Sequence, residues 1–231
     1  MKNNYQSIFD IKKIETRIKE TIVKNKKVYV NFESCNLRPT FGGQLFDKGK
    51  FYNGTWWNIT EVVNIDNKIF CITNCCEKNL NLNETILLEI DSNRRHLISR
   101  MHSAIHLISY LNKHKMYTGY AGENKSRIDF IGDIEDFKLN FNDIQKIFKK
   151  IIKNKNAITV NFLNKSEIDF ININEFIETN SNLYRIVEIK GYGLSMCNGT
   201  HVKNTYEIGD IKFGDPVLIK NNSYKLNVSI I

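Results

Sequence analysis

The chain has 231 residues but only two prolines, and it contains no Pro-, Gly- or Ser-rich linker. That excludes a proline-rich or disordered architecture. No apolar run approaches the length needed to cross a bilayer. The start, Met1 to Gln6, carries no apolar core of signal-peptide length, so a cytoplasmic protein with no membrane partner is expected. The five cysteines are odd in number. Their spacing does not resemble a small disulfide framework, and Cys75 and Cys76 are adjacent, so free thiols in a reducing compartment are expected. Acidic residues are the minority, 25 against 33 Lys and Arg, for a net charge of +8. Such a balance favours a polyanionic partner, with a lysine-rich solvated face as the plainer explanation. No internal repeat is visible. The length suggests two domains, and an apolar fraction of 42% is enough for a sizeable core.

Up to about residue 91 the chain reads as short strands with turn residues between them. Val28, Val30 and Phe32 alternate after a turn at Asn25-Lys26-Lys27. Phe51-Tyr52, Trp56-Trp57, Ile59, Val62, Val63 and Ile65 continue to Asp66-Asn67. Ile69, Cys71 and Thr73 follow, and Leu87, Leu88 and Ile90 close the region. This pattern predicts a small β-barrel. The tryptophan pair is expected at its core and rim. At Asp91-Ser92-Asn93 the pattern changes, and Ser92 or Asn93 is expected to cap a helix running to about Leu111. Beyond it, a glycine-containing loop (Gly119, Gly122) leads to a strand at Ser126–Phe130. Helical spacing follows over Asn142–Lys153, then a strand at Ile158–Phe162. Residues 168–177 are ambiguous, with Glu175 and Phe176 opening a short helix. Strands at Leu183–Ile189, Glu207–Phe213 and Tyr224–Ile230 complete the chain. The fold class is therefore α+β: a β-barrel over 1–91, and over 92–231 a domain of helices and antiparallel strands.

Two motifs carry possible chemistry. His102 and His106 are four residues apart in an apolar helical run, which puts both imidazoles on one face. Cys197 and His201 repeat the spacing, but Asn198-Gly199 between them argues for a tight loop. Three imidazoles and a thiolate suit a tetrahedral zinc ion. Three of the five histidines fall in these motifs. His96 and His114 are expected to be exposed or hydrogen-bonded side chains.

At these residues the chain resembles the free-standing alanyl-tRNA editing proteins of the AlaX type and the editing domain of alanyl-tRNA synthetase. The matching segments run in order through most of the chain. They are Pro39-Thr40-Phe41-Gly42-Gly43-Gln44 with Asp47-Lys48-Gly49, then Arg94-Arg95 with Arg100 to His106. Gly119-Tyr120 with Lys125 to Phe130, Arg185 to Ile189, Cys197 to Thr205 and Glu207-Ile208-Gly209 follow. The resemblance implies an editing domain with an antiparallel sheet and a zinc site held by His102, His106, Cys197 and His201. It implies a glycine-rich loop that brings Gly42, Gly43 and Gln44 near the zinc, with Thr40 as a contact to the amino acid. The chain departs from the family pattern at Ile105, which would narrow the pocket, at Asn198, at Gly193 where an Asp is common, and at Phe41.

The implied activity is zinc-dependent hydrolysis, in trans, of tRNA for alanine wrongly charged with serine or glycine. No Ser/His/Asp set is evident, so the attacking group is expected to be a water bound or oriented by zinc, without a protein nucleophile. Alanine is smaller than serine, so size cannot exclude it. A hydrogen bond to the serine hydroxyl can discriminate, with Thr40 and Gln44 as candidates. Arg94, Arg95, Arg100, Lys125 and Arg127 are the expected contacts to the tRNA, and Lys149, Lys150, Lys153 and Lys155 form a second basic cluster. No obligate protein partner is evident. Motifs for amino-acid activation are missing, so a complete synthetase is not expected. The alternative is a non-catalytic, zinc-stabilised RNA-binding module; a hydrolase of another small ester is a third.

Overall fold

A computed structural model of the chain describes residues 13–169, 173, 182–220 and 222–231. The segment expected to hold the helix at Glu175 and Phe176 lies outside the described residues. The chain divides into two compact units. One takes the described residues of Met1–Phe41 with Leu45–His96, and the other takes Gly42–Gln44 with Leu97–Ile231.

The first unit is a closed antiparallel barrel. Its strands are β1 (Lys13–Lys24), β2 (Lys27–Phe32), β3 (Gly49–Tyr52), β4 (Trp56–Ile65), β5 (Lys68–Thr73) and β6 (Thr85–Ile90). They run in the order β1-β2-β5-β4-β3-β6, and β1 pairs with both β2 and β6. Closure removes every sheet edge, which is why such short strands suffice. The strands alternate as the sequence predicts. Ile18, Val30, Phe32, Phe51, Val62, Cys71, Ile86 and Leu88 form one buried cluster. Each such side chain contributes roughly 1.5–3 kcal/mol on burial. The turns at Asn25-Lys26 and Asp66-Asn67 all have positive φ, the geometry that a two-residue hairpin needs to match strand twist. Trp57 packs on the core. Trp56 stands at the rim, 41% exposed, with Lys50 Nζ 4.3 Å from its ring centre.

One buried ion pair fixes the loop that follows β2. Asp47, 1% exposed, accepts from Arg95 Nε at 3.0 Å, from Arg95 Nη2, and from the Arg38 backbone N–H at 2.6 Å. Arg95 Nη2 also donates to the Asn36 carbonyl at 2.6 Å. Arg94 donates from Nη1 to the Phe46 carbonyl and lies over the Phe46 ring. Arg94 and Arg95 are therefore buried, at 5% and 4% exposure. Both were expected to contact nucleic acid; in the fold their guanidinium groups bind loop carbonyls and a carboxylate.

Helix α1 (Ser92–Leu111) begins after Asp91, whose carboxylate accepts from the Arg94 N–H at 2.9 Å. Asp91 thus takes the capping role expected of Ser92 or Asn93. In the second unit every residue of α1 from 101 to 108 is buried. Antiparallel strands make a sheet of order β12-β14-β8-β7, with β13 also on β14, and a three-stranded sheet β11-β10-β9. These are β7 (Lys115–Ala121), β8 (Lys125–Ile131), β9 (Ile158–Leu163), β10 (Tyr184–Ile189), β11 (Gly193–Met196), β12 (Ile211–Phe213), β13 (Val217–Lys220) and β14 (Ser223–Ile230). Among the described residues the other α-helices are α2 (Ile134–Lys153) and the single turn α3 (Lys165–Ile168). Phe137 of α2 stacks on Tyr224 at 4.7 Å, and Phe148 meets Phe213 edge-on at 5.3 Å. The fold is α+β, as read from the sequence.

Several local expectations change. Gly119 lies within β7 rather than in a loop, since β7 pairs with β8 along its length. Helix α2 starts at Ile134, where Asp133 accepts from the Glu135 N–H, not near Asn142. The expected strand at Glu207–Phe213 splits into a 3-10 turn at Thr205–Ile208 and β12, because Gly209 has a φ of 68°. Among the described residues no helix is long and apolar enough to cross a membrane.

Breaking the ion pair from one side leaves a buried charge without its partner, which costs about 3–5 kcal/mol. Asp47→Ala is expected to lower the denaturant-unfolding free energy by that amount. A loss below about 1 kcal/mol, the value of an exposed pair, would show that the pair is not what holds the loop.

Candidate metal centre

The i, i+4 spacing on α1 puts the His102 and His106 rings 5.0 Å apart, centre to centre. The loop after β11 supplies the other two groups. It is anchored by the Cys197 N–H donating to the Arg185 carbonyl at 3.1 Å, and by Arg185 Nη1 donating to the Cys197 carbonyl. The His201 ring lies 4.4 Å from His102 and 5.0 Å from His106. Cys197 Sγ is 3.6 Å from His102 Nε2 and 3.4 Å from His201 Nε2. One ligand atom from each of the four residues lies within 4.8 Å of all the others, so the set can hold a metal ion. The three histidines are buried and Cys197 is partly exposed.

Each histidine is gripped on the side away from this point. His102 Nδ1 is 2.9 Å from Gln44 Oε1, His201 Nδ1 is 3.1 Å from Ser103 Oγ, and His106 Nδ1 is 3.5 Å from the Tyr110 hydroxyl. With Nδ1 engaged outward, Nε2 is the atom left to face a metal. The Gly199 N–H donates to Cys197 Sγ at 3.2 Å, which favours the thiolate, the ligating form. Burial, and then the nearby Arg185 guanidinium, lower the His106 pKa to about 4. The ring is thus neutral at physiological pH, as a ligand must be.

Residues 184–223 match the family described as the threonyl and alanyl tRNA synthetase second additional domain. The alanyl-tRNA editing protein AlaX-M of Saccharolobus solfataricus is 30% identical over 212 residues, covering 87% of this chain and 86% of the relative. The chain belongs to the AlaX-M-type alanyl-tRNA editing protein family. A second AlaX-M, from Methanosarcina acetivorans, is 28% identical over 201 residues, covering 80% of this chain and 81% of the relative. The alanine–tRNA ligase of Methanococcus aeolicus is 30% identical over 183 residues, but the chain spans only 20% of that ligase's length.

The other residues that the resemblance to AlaX-type proteins singled out are placed unevenly. Gly42 and Gly43 both have positive φ, 55° and 77°. Gly42 faces open space, whereas a Cβ on Gly43 would fall 1.8 Å from the Gly119 carbonyl oxygen, so only glycine fits there. Ile105 is 2% exposed, and its Cγ2 lies under Gly119. Gln44 is fully buried. Thr40 is exposed and accepts from the Phe46 N–H at 3.2 Å. Arg100 donates from Nε to the Ile208 carbonyl at 2.9 Å and fills the space beside Gly209. Of the five expected cationic contacts, Lys125 and Arg127 keep exposed side chains, the latter paired with Asp129 at 2.6 and 2.8 Å. His96 is exposed, and His114 is hydrogen-bonded to Tyr224 and paired with Asp136.

Sequence reading missed Ser99, Ser103, Tyr110, Ser195 and Thr200 as parts of the site. Ser99 and Ser103 stand three residues before His102 and His106, on the same helix face. Polar residues in an otherwise apolar helix were the available signal.

The depressed His106 pKa has a consequence in metal-free protein. The folded value is about 4 against an ordinary 6.5. Above pH 6.5 both states are neutral at this ring and its contribution is fully present. As pH falls toward 4, the unfolded chain takes up a proton that the folded chain refuses, and stability is lost. The expected loss between pH 7 and 4.5 is on the order of 2–3 kcal/mol. Denaturation of the metal-free protein checks it. A loss in His106→Gln equal to that of the unsubstituted chain contradicts the assignment.

Proposed function

We propose that the protein is a trans-editing hydrolase that deacylates seryl- or glycyl-tRNA for alanine with the help of a zinc ion. The observation that carries this reading is the four-residue cluster in a chain that covers most of an AlaX-M relative. The donor set fits zinc. With Zn–N of about 2.0–2.1 Å and Zn–S of about 2.3 Å, neighbouring N and S ligands of a tetrahedral ion are about 3.6 Å apart. The separations from Cys197 Sγ, 3.6 and 3.4 Å, agree with that.

In this reading His102, His106, Cys197 and His201 hold the ion. Zinc, when bound, supplies Lewis-acid polarisation of the ester carbonyl or of the attacking water. The protein's own hydroxyls at the site are engaged elsewhere: Ser99, Ser103 and Thr200 are buried and bonded to one another or to the ligands. None of them is poised as a nucleophile, and Cys197 serves as a ligand. Backbone N–H groups of Gly42 and Gly43 precede Gln44, which touches His102, and are suited to stabilise a developing oxyanion. Cys197 is the partly exposed member of the set, which makes its side the route for the aminoacyl end.

Discrimination against correct alanyl-tRNA rests on a hydrogen bond that only the serine hydroxyl can complete, because an unpaired polar group in the pocket is costly. Thr40 is the residue that the family resemblance offers for this. The tRNA backbone is met by surface cations, among them Lys125, Arg127 and the exposed lysines 149, 150, 153 and 155 of α2 and the turn after it. Binding then weakens as salt rises. No cysteine is in a disulfide among the described residues, and a reducing cytoplasm is the compartment proposed from the cysteine spacing.

One observation favours a second reading. Four protein ligands complete a tetrahedron, the pattern of closed structural zinc sites. A zinc-stabilised RNA-binding module without activity would use the same residues. Deacylation separates the two. Purified protein is expected to release serine or glycine from tRNA for alanine, to spare alanyl-tRNA, and to lose activity at least about 100-fold on chelation or in His106→Ala. Zinc-loaded protein that binds tRNA but releases neither amino acid supports the binding module instead.

A further inference from the structure

We propose that Gln44 is a positioning residue for the metal ligands and does not contact the amino acid. The inference rests on reading the cluster as a metal centre.

The Gln44 side chain is fully buried and makes three hydrogen bonds. Its Oε1 accepts from the Thr200 backbone N–H at 2.8 Å and lies 2.9 Å from His102 Nδ1, and its Nε2 donates to Thr200 Oγ1 at 2.9 Å. A backbone N–H can only donate, so the amide atom facing Thr200 must be the oxygen. That oxygen cannot donate to His102, so the hydrogen between them sits on Nδ1 of the imidazole. The neutral ring then carries its lone pair on Nε2, the atom 3.6 Å from Cys197 Sγ. One side-chain amide thus sets the tautomer of His102 and ties it to the loop that carries Cys197 and His201.

The surroundings enforce the arrangement. Ser99 Oγ donates to Thr200 Oγ1 at 2.8 Å. A Cβ on Gly199 would lie 1.8 Å from His102 Cε1 and 3.0 Å from Gln44 Oε1, so ring, loop and amide are in contact. The Ala121 N–H donates to the Gly43 carbonyl at 2.9 Å, and Gln44 bridges to Ala121 in parallel. The glycine loop is therefore docked on the edge of β7, with Gln44 at its inner end.

The test uses the full chain and zinc alone. Zinc affinity is measured by competition with a chromophoric chelator for Gln44→Met, which keeps the bulk but not the acceptor, and for Gln44→Glu, which keeps an acceptor oxygen. The proposal expects Gln44→Met to bind zinc about 10- to 100-fold more weakly, with Gln44→Glu recovering most of the loss. At saturating zinc, KM for seryl-tRNA should change less than about twofold in Gln44→Met. Unaltered zinc affinity in Gln44→Met, with a raised KM or lost discrimination between serine and alanine, overturns the proposal and makes Gln44 a substrate contact. Nitrogen NMR of the unsubstituted, metal-free protein gives an independent answer even where Gln44→Met fails to fold. The His102 proton is expected on Nδ1, and a proton on Nε2 overturns the proposal. Neither the affinity nor the tautomer depends on deacylation, so a failure of the editing reading leaves this test intact.

Discussion

Four side-chain atoms able to ligate a metal lie within 4.8 Å of one another, and each of the four residues is held by a further hydrogen bond. A buried imidazole with both nitrogens idle would pay the full cost of lost hydration. Here Gln44, Ser103 and Tyr110 take the Nδ1 atoms, and the Gly199 N–H takes the sulfur of Cys197. Tyr110 is itself steadied by donating to the buried Ser195 at 2.7 Å. The constraint explains the polar side chains along α1. Ser99, Ser103, His102 and His106 sit among Ile98, Met101, Ile105, Leu107 and Ile108, every one buried. A helix apolar all round would pack as well but would offer no ligand.

The first unit meets a similar requirement with charge. Arg95 and Asp47 are almost completely buried, and their guanidinium and carboxylate groups satisfy each other and the carbonyl and N–H groups of residues 36 and 38. Such a pair adds little net stability over apolar packing, but it admits one arrangement of the loop. The glycines of the next segment follow the same logic on the backbone. At Gly43 a side chain would strike the Gly119 carbonyl, while at Gly42 only the positive φ matters.

The barrel was legible in the sequence because its strands bury one face each, and period-two alternation survives in Val28, Val30 and Phe32 or Ile86, Leu88 and Ile90. The four residues of the cluster were legible because two i, i+4 motifs and a run of ordered family segments coincide. What was hidden depends on tertiary contact. β7 reads as a loop since its glycine makes room for Ile105 rather than a turn. Arg94 and Arg95 read as surface cations, because nothing local announces that Asp47 lies against them. The hydrogen bonds of Gln44 were hidden too, because only the folded chain brings Thr200, 156 residues away, to its amide. Burial of charge and pairing across long sequence separations leave no periodic trace.

The central claim is that His102, His106, Cys197 and His201 form one zinc site. X-ray absorption at the zinc edge of the loaded protein tests it most directly. The account predicts one zinc per chain with three nitrogen neighbours at about 2.0–2.1 Å and one sulfur at about 2.3 Å. A coordination shell without sulfur, or an all-oxygen shell of six, would contradict it.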